Sequence, residues 1–518
     1  MAAAWTPPPA LKGGSLVLGT LALSLATFMN VLDTSIANVS LPTIAGDLGV
    51  SPDQGTWVIT SFGVANAVSV PLTGWLTQRI GQVRLFTASV LLFVLASLMC
   101  GLAPSFELLI LARVIQGAVA GPMIPLSQTL LLSSYPPKKA GLALGMWGIT
   151  TLVAPVAGPL LGGGITDNIS WPWIFYINAP VGIFAAALTW AIYKDRETPK
   201  QKLPVDKIGL ALLVVWVGAL QIMLDKGNEL DWFNSRQVVV LAIVAAIGFS
   251  LFLVWELTDD HPVVDLRFFA KRNFWTGVIA LSLAYGAFMG ALVLLPLWLQ
   301  QYMGYTATWA GLALAPVGAL AILLTPIVGA NAHRFDPRAL ASFSFLVFAI
   351  VLAMRGQNDT QADFATIMVP TLIQGVAMAF FFIPLIGLTL SGLKPGEIPA
   401  ASGLSNFVCI TAGSFGTSIS TTIWSTRASA YHAQLAEHIT PYDAVSVQAL
   451  SGLQALGNSA EQARGVVNQM INQQAYTLAA NDIFNACAVL FVLLIGVVWL
   501  ARPVRAAPAG GAAASAAH

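Results

Sequence analysis

Charged side chains are scarce in this chain. Asp, Glu, Lys and Arg make up 9% of its 518 residues, where a soluble domain carries about 25%. Folding in water is a poor match, and a bilayer is the natural solvent. The formal net charge is +1, so nothing points to a nucleic-acid partner. Cysteine is rarer still: Cys100, Cys409 and Cys487 all lie in apolar runs. An odd, scattered set fits neither a disulfide framework nor a zinc spacing, and the three read as packing residues. No lysine follows a glycine anywhere, so the phosphate-cradling Gly-x4-Gly-Lys loop of an ATP-driven pump is missing. The histidines, His261, His333, His432, His438 and His518, avoid the middle of every apolar run, which removes the clustered ligands of a membrane metalloenzyme. Neither an enzyme nor a cofactor or metal is expected.

Apolar sequence is abundant instead. Hydrophobic residues make up 57% of the chain and mean hydropathy is +0.76. A helix needs about 20 apolar residues to cross the hydrocarbon core. Such runs fall near 16–40, 54–77, 84–103, 107–132, 141–165, 174–193, 207–226 and 236–257. Six more fall near 274–299, 308–330, 339–356, 364–390, 400–424 and 479–501. The first run carries no small-residue cleavage pattern, so it reads as an uncleaved span. Residues 1–14 precede it as a short cytoplasmic segment. The Ala/Gly-rich stretch 502–518 reads as a disordered cytoplasmic tail.

The distribution of positive charge orients these fourteen spans. With the N-terminus inside, 18 of the 24 Lys and Arg fall in cytoplasmic segments, five fall outside and Arg113 lies within a span. The five outside are Lys226, Arg236, Arg355, Arg427 and Arg464. Removing an early span would invert every later loop and destroy that bias. Both termini are therefore expected in the cytoplasm.

The chain also repeats itself. VIQGAVAGPMIP at 114–125 matches LIQGVAMAFFFIP at 372–384, an offset of about 258. Gly74 and Gly329, each ahead of a basic turn, are offset by 255. Corresponding elements lie eight spans apart rather than six, so two spans are inserted between two six-helix bundles. The expected units are 15–193, a linker 194–260 with two additional spans, and 261–501.

Several motifs carry a family likeness. GWLTQRIGQVR at 74–84 follows the pattern Gly-x-Leu-x-Asp-Arg-x-Gly-x-x-Arg through Gly74, Arg79, Gly81 and Arg84. It departs at Gln78, where the pattern has Asp, which leaves open the charge lock an Asp would make. LARVIQGAVAG at 111–121, APVAGPLLGG at 154–163, LDTSIANVSLPTIA at 32–45, WPWIFYINAPVG at 171–182 and GYTATWAGLALAP at 304–316 are further matches. Over residues 15 to 501 the chain resembles the major facilitator superfamily, specifically its fourteen-helix drug:proton antiporters. The resemblance implies an all-α integral membrane fold of two six-helix bundles plus two inserted helices. It also implies proton-driven efflux of toxic, hydrophobic or amphipathic compounds across a bacterial inner membrane. Partners so implied are a periplasmic adaptor and an outer-membrane channel. An exporter or importer of one specific metabolite shares the fold.

A charge in hydrocarbon costs at least a few kcal/mol. Asp33 is the only acid away from the ends of the first six spans, roughly 12 Å from the outer end of its helix, and Arg113 lies roughly 10 Å from the outer end of the fourth. At similar depth they can pair if the first and fourth spans are neighbours, as the resemblance implies. Asp33 is then the proton carrier and Arg113 holds it ionised until the two separate; a fixed pin between two helices is the plainer reading. Thr371 occupies the position matching Arg113, so the second bundle is expected to lack the charge. Asp225 and Glu256 read as interfacial. Asn30, Gln116, Gln128, Tyr285, Gln300 and Asn406, with Met29, Met123 and Phe407, form the expected substrate surface; helix-to-helix bonding is the plainer reading of the amides. Gly158, Pro159, Gly162 and Gly163 permit close approach and bending of the fifth span. The polar stretch 425–478 shows helical patterning, read either as a cap over the second bundle or as a docking surface for the adaptor.

Overall fold

A computed structural model describes residues 9–200, 206–259, 262–437, 439–440 and 442–503, and among these it contains only helices, turns and loops. The expected segments 1–14 and 502–518 therefore lie largely outside the described residues. Fourteen long helical segments follow one another. The first six are α1 (Gly13–Asp47), α2 (Trp57–Ile80), α3 (Gln82–Gly101), α4 (Phe106–Ser134), α5 (Ala140–Asn168) and α6 (Trp173–Arg196). Then come α7 (Lys207–Lys226) and α8 (Arg236–Thr258). The last six are α9 (Arg272–Gln301), α10 (Trp309–Arg334), α11 (Pro337–Arg355), α12 (Phe364–Thr389), α13 (Ile398–Glu437) and α14 (Ala460–Trp499). Each coincides with one expected span. Twelve are long and apolar enough by themselves to cross a membrane; α5 and α13 are long but are not among those twelve. Helix α13 is rich in Ser, Thr and Gly, and many of these are buried against neighbours rather than turned to the surroundings. Exposed side chains on the flanks, such as Leu91, Leu92 and Leu95 of α3, are apolar. That pattern suits lipid and not water.

The packing repeats as the sequence does. In α1–α6, α1 packs on α5 and α6, α2 on α4, and α3 on α4 and α6; in α9–α14 the same pairs recur eight helices later. Helices α4 and α12 even break at corresponding points, at Gly121–Pro122 and at Phe380–Phe381. Helix α7 packs on α8, α2 and α13, whereas α8 has α7 as its main long-helix neighbour.

The two bundles close on each other at the end bearing the 74–84 motif, here called the loop end. A Cβ built on Gly74 would lie 2.5 Å from that of Ala400, and one on Gly141 2.6 Å from the Gly329 carbonyl oxygen. Only glycine permits such contact between backbones. At the opposite end α13 and α14 run on beyond the bundle, joined through a short helix, Ala444–Ala455. The patterned stretch 425–478 is thus mostly continuous extension of two spans. A capping box of Ser459 and Gln462 starts α14. Tyr302, just past α9, stacks on Tyr476 at 4.1 Å, and Trp424 Nε1 donates to the Tyr476 carbonyl at 2.9 Å.

Candidate functional site

Asp33 and Arg113 are both completely buried in the first bundle. Asp33 sits on α1 beside the turn where α5 comes closest. A Cβ built on Gly158 would lie 2.3 Å from Ser35 Oγ, and one on Gly162 2.9 Å from Ile36 Cγ1. Glycine at these positions seats α5 against the acid-bearing turn. Gly163 follows in the same helix, and the side chain of Pro159 lies outside the described residues. Helix α4 is started by Ser105, whose hydroxyl accepts from the Leu108 backbone N–H at 3.4 Å, with Glu107 in its first turn. Both suit a helix N-terminus, and two turns on the helix delivers Arg113.

The two charges meet. Arg113 Nη1 donates to Asp33 Oδ2 at 2.5 Å and to Gln116 Oε1 at 2.8 Å, and Nε donates to the Val58 carbonyl at 2.9 Å. The guanidinium lies 4.3 Å from the ring centre of Phe62. Asp33 Oδ1 accepts from Gln116 Nε2 at 2.9 Å and from Asn178 Nδ2 at 3.0 Å. Asn178 also donates to Ser97 Oγ at 2.9 Å, which in turn donates to the Phe175 carbonyl. Donors from α4 and α6 thus replace the water around the Asp33 carboxylate, while Val58 of α2 and Ser97 of α3 hold Arg113 and Asn178 in place. A buried pair persists only when its remaining lone pairs and protons are satisfied in this way. The one gap is Arg113 Nη2, buried with no partner among the described residues. Sequence reasoning singled out neither Asn178 nor Ser97. Their signal was a polar side chain inside an apolar run, one of them within the quoted 171–182 motif.

The loop motif has its own lock. Gly81 ends α2 at φ +97°, a left-handed conformation glycine adopts without strain. Glu197, just past α6, accepts from the backbone N–H groups of Val83 and Arg84, each at 3.0 Å, while Thr198 Oγ1 accepts from Gln82 N. This distant carboxylate caps the N-terminus of α3. The Arg84 side chain stands 4.0 Å from it, and Arg79 stacks over Trp75 at 5.3 Å. Gln78 carries no charge to form a lock, and Glu197 anchors the turn through backbone N–H groups and the Arg84 side chain instead.

The nine residues expected to share a substrate surface do not share one place. Gln128 Oε1 accepts from Ser402 Oγ at 2.5 Å and Asn406 Nδ2 at 2.9 Å, joining α4 to α13 across the bundle seam. With Trp147, Phe382 and Cys409 they line a cavity of about 20 Å³, which is water-sized. Gln116 belongs to the ion-pair site. Asn30 donates to the Ala120 carbonyl at 3.3 Å, while Met29 packs on Gly182 and Met123 is fully buried, all inside the first bundle. Tyr285 packs on Gly413 within the second bundle. Gln300 is exposed near the end of α9 and bonds its own helix at Pro296. Phe407 points away from Asn406 and meets Trp216 of α7 edge-on at 5.8 Å. Adjacent helical residues diverge by about 100°, so 406 and 407 serve different surfaces.

The second bundle corrects one expectation outright: it is not without a buried charge. Arg355, at the end of α11, is 2% exposed. Its Nη2 donates to Thr371 Oγ1 at 3.0 Å and to Gln374 Oε1 at 2.7 Å. Those are the positions matching Arg113 and Gln116. The guanidinium has moved to the neighbouring helix, and no ion pair to it is found among the described residues. Hydropathy placed Arg355 in an outer loop because it follows a short span; Asn358 and Asn485 of α14 close over that turn instead.

Comparison with known proteins agrees with this architecture. The sequence profile of the Major Facilitator Superfamily matches residues 23–417. The chain is 52% identical over 505 residues to the multidrug export protein EmrB of Escherichia coli strain K12, covering 97% of this chain and 99% of that one. It is 50% identical over 503 residues to the fatty acid resistance protein FarB of Neisseria gonorrhoeae, covering 97% and 99%. Among solved structures, the human organic anion transporter MFSD10 superimposes with a TM-score of 0.58 at 12% identity, covering 94% of this chain and all of that one. A bacterial homologue of the lysosomal transporter Spinster gives 0.51 at 18% identity, covering 94% and 97%. At these identities the two structures speak for the fold alone.

Proposed function

The chain belongs to the major facilitator superfamily, and on that premise we propose that it is a proton-coupled exporter of hydrophobic or amphipathic compounds. It is a multi-pass membrane transporter and not an enzyme. Its setting in this reading is a bacterial inner membrane, with the loop end and both termini in the cytoplasm. The two relatives of half-identical sequence are named for multidrug export and fatty acid resistance, which favours apolar cargo.

One observation carries the coupling: Asp33 and Arg113 form an ion pair shut away from solvent on helices that meet between the ends of the first bundle. The guanidinium and two amide donors engage the carboxylate while the bundles are closed. In the proposed cycle the pair parts as the bundles rock and α1 leaves α4, and Asp33 is the group that then carries a proton. Re-forming the pair expels that proton. The arrangement closed at Gly74–Ala400 and Gly141–Gly329 is then the one shut to the cytoplasm. Purified protein given substrate should release protons, and Asp33→Asn should release none while keeping its folded elution profile and melting transition. Normal release from that variant would overturn the assignment.

The extensions of α13 and α14 support a partner. Their tip exposes Tyr442, Val445 and Leu456 at 97%, 73% and 81%, a concentration of apolar surface that marks interaction sites. We assign this tip to a periplasmic adaptor, which would connect to an outer-membrane channel. Shortening the hairpin should abolish efflux from cells and leave transport in vesicles intact. Equal loss in both would favour a cap over the second bundle.

A further inference from the structure

Helices α7 and α8 leave a space that protein does not fill. Between α8 and the seam of α2 and α13 lies a cavity of about 350 Å³, within the size range of small-molecule sites. Trp216 of α7, Phe252 and Leu253 of α8, and Leu404, Phe407 and Val408 of α13 are among its lining residues, which are all apolar. The one side-chain polar atom among them, the buried and unpartnered Trp216 Nε1, is fewer than the two to four partners that ordered water needs. Its rim includes Phe249 and Leu257, 42% and 65% exposed on the flank of α8. In a bilayer that flank faces hydrocarbon, so the space opens sideways into the membrane.

The floor of the space is rigid. Residues 262–270 cross beneath it, with Val264 N donating to the buried Glu256 carboxylate at 3.1 Å. Phe268 and Phe269 pack on Phe274 at 5.7 and 5.3 Å, and Lys271 Nζ pairs with Glu397 at 2.8 Å. A slot held this way exists before anything enters it. Exposed Arg267 lies beside Leu266 of the lining, and exposed Lys207 opens α7 at the same end. Apolar walls complement a long hydrocarbon chain, and Arg267 and Lys207, beside the capping carboxylates Asp265 and Asp206, offer the cations for an attached phosphate.

We propose that this slot binds one acyl chain of an anionic phospholipid drawn from the loop-end leaflet, its phosphate held near Arg267. An empty apolar void forfeits dispersion contacts along its whole lining, and a neighbouring lipid tail is the one abundant occupant at such a mouth. The chain would lie against Pro71 and Leu404, close to the Gly74–Ala400 contact that closes the loop end. It therefore fills the seam only while α2 and α13 stay together. The site does not depend on the transport reading above.

The test uses full-length protein in liposomes containing phosphatidylglycerol with a diazirine in its acyl chain. After illumination, labels are expected on residues 404–408 as well as on the outward flank of α3. Leu253→Trp, which fills the slot from the lipid side, should lower labelling of 404–408 about tenfold, as when roughly two methylene groups lose their burial. Labelling of α3 should not change. Absence of label at 404–408 in the unaltered protein, or label there insensitive to Leu253→Trp, would overturn the proposal. So would label at 404–408 from a headgroup-free diazirine hydrocarbon but not from the phospholipid, which would point to apolar cargo instead.

Discussion

The two bundles pack their helices alike but treat the same interior position differently. In the first, a cation on α4 meets a carboxylate on α1, and amides from α4 and α6 complete the shell. In the second, the matching position on α12 is Thr371, and the cation reaches it from α11 with no carboxylate paired to it among the described residues. By the repeat offset, the α9 residues opposite are near Phe288, whose ring packs on Phe348 at 6.0 Å. A pair can be made and broken in a transport cycle, whereas a lone guanidinium bonded to neutral oxygens has no proton acceptor to release. In the proposed mechanism coupling therefore belongs to the first bundle, while the Arg355 guanidinium of the second ties α11 to α12.

Stability separates these roles most sharply. Asp33→Leu or Arg113→Leu alone leaves one charge buried without its partner and should cost about 3–5 kcal/mol. The double variant should recover most of that loss in thermal unfolding in detergent, yet show no substrate-driven proton release. Arg355→Leu removes a charge and strands only Thr371 and Gln374, so its cost should stay within about 1–3 kcal/mol. It should retain proton release; loss of release with intact folding would break the contrast between the bundles.

The loop ends differ in the same spirit. Helix α3 is capped from afar by Glu197, whereas α11, its counterpart, is capped by the residue before it, Asp336, which also binds its neighbour Arg338 at 2.7 Å. Glu197→Ala should cost about 1–2 kcal/mol, the range for a lost cap, and should raise hydrogen exchange at both the start of α3 and the 194–200 segment. Asp336→Ala should raise exchange at α11 alone. Equal spreading from both would erase the difference.

The smallest effect is a pH dependence. Hydrogen bonds from Arg338 hold the Asp336 carboxyl below the usual carboxylate range. Its contribution is therefore present above the unfolded value of about 3.9 and disappears as the pH falls further. Asp336→Asn keeps the cap and loses the ion pair, so at neutral pH it should cost a few tenths of a kcal/mol. Melting curves of variant and wild type should converge below about pH 4.

Much of this was readable along the chain. Hydropathy located every helix to within a few residues where it faces lipid, because the bilayer imposes length and apolarity on each span separately. The polar segments past 425 were legible as helices, though not as continuations of α13 and α14. The repeat, too, was visible, since matching glycines hold matching backbone contacts. The partnership of Asp33 with Arg113 followed from equal depth, the cost of charge in hydrocarbon and the adjacency of the first and fourth spans that the family resemblance implies. What the sequence left open was the surroundings of each polar group. Gln300 and Gln128 look alike in an apolar run, but one ends on the surface and the other spans the seam. Arg355 looks like a loop residue until α12 and α14 cover it. Glu197 reaches α3 from more than a hundred residues away. Span and depth are properties of one helix against its solvent and are written locally. Which side chains meet is a property of several helices at once, and only their packing decides it.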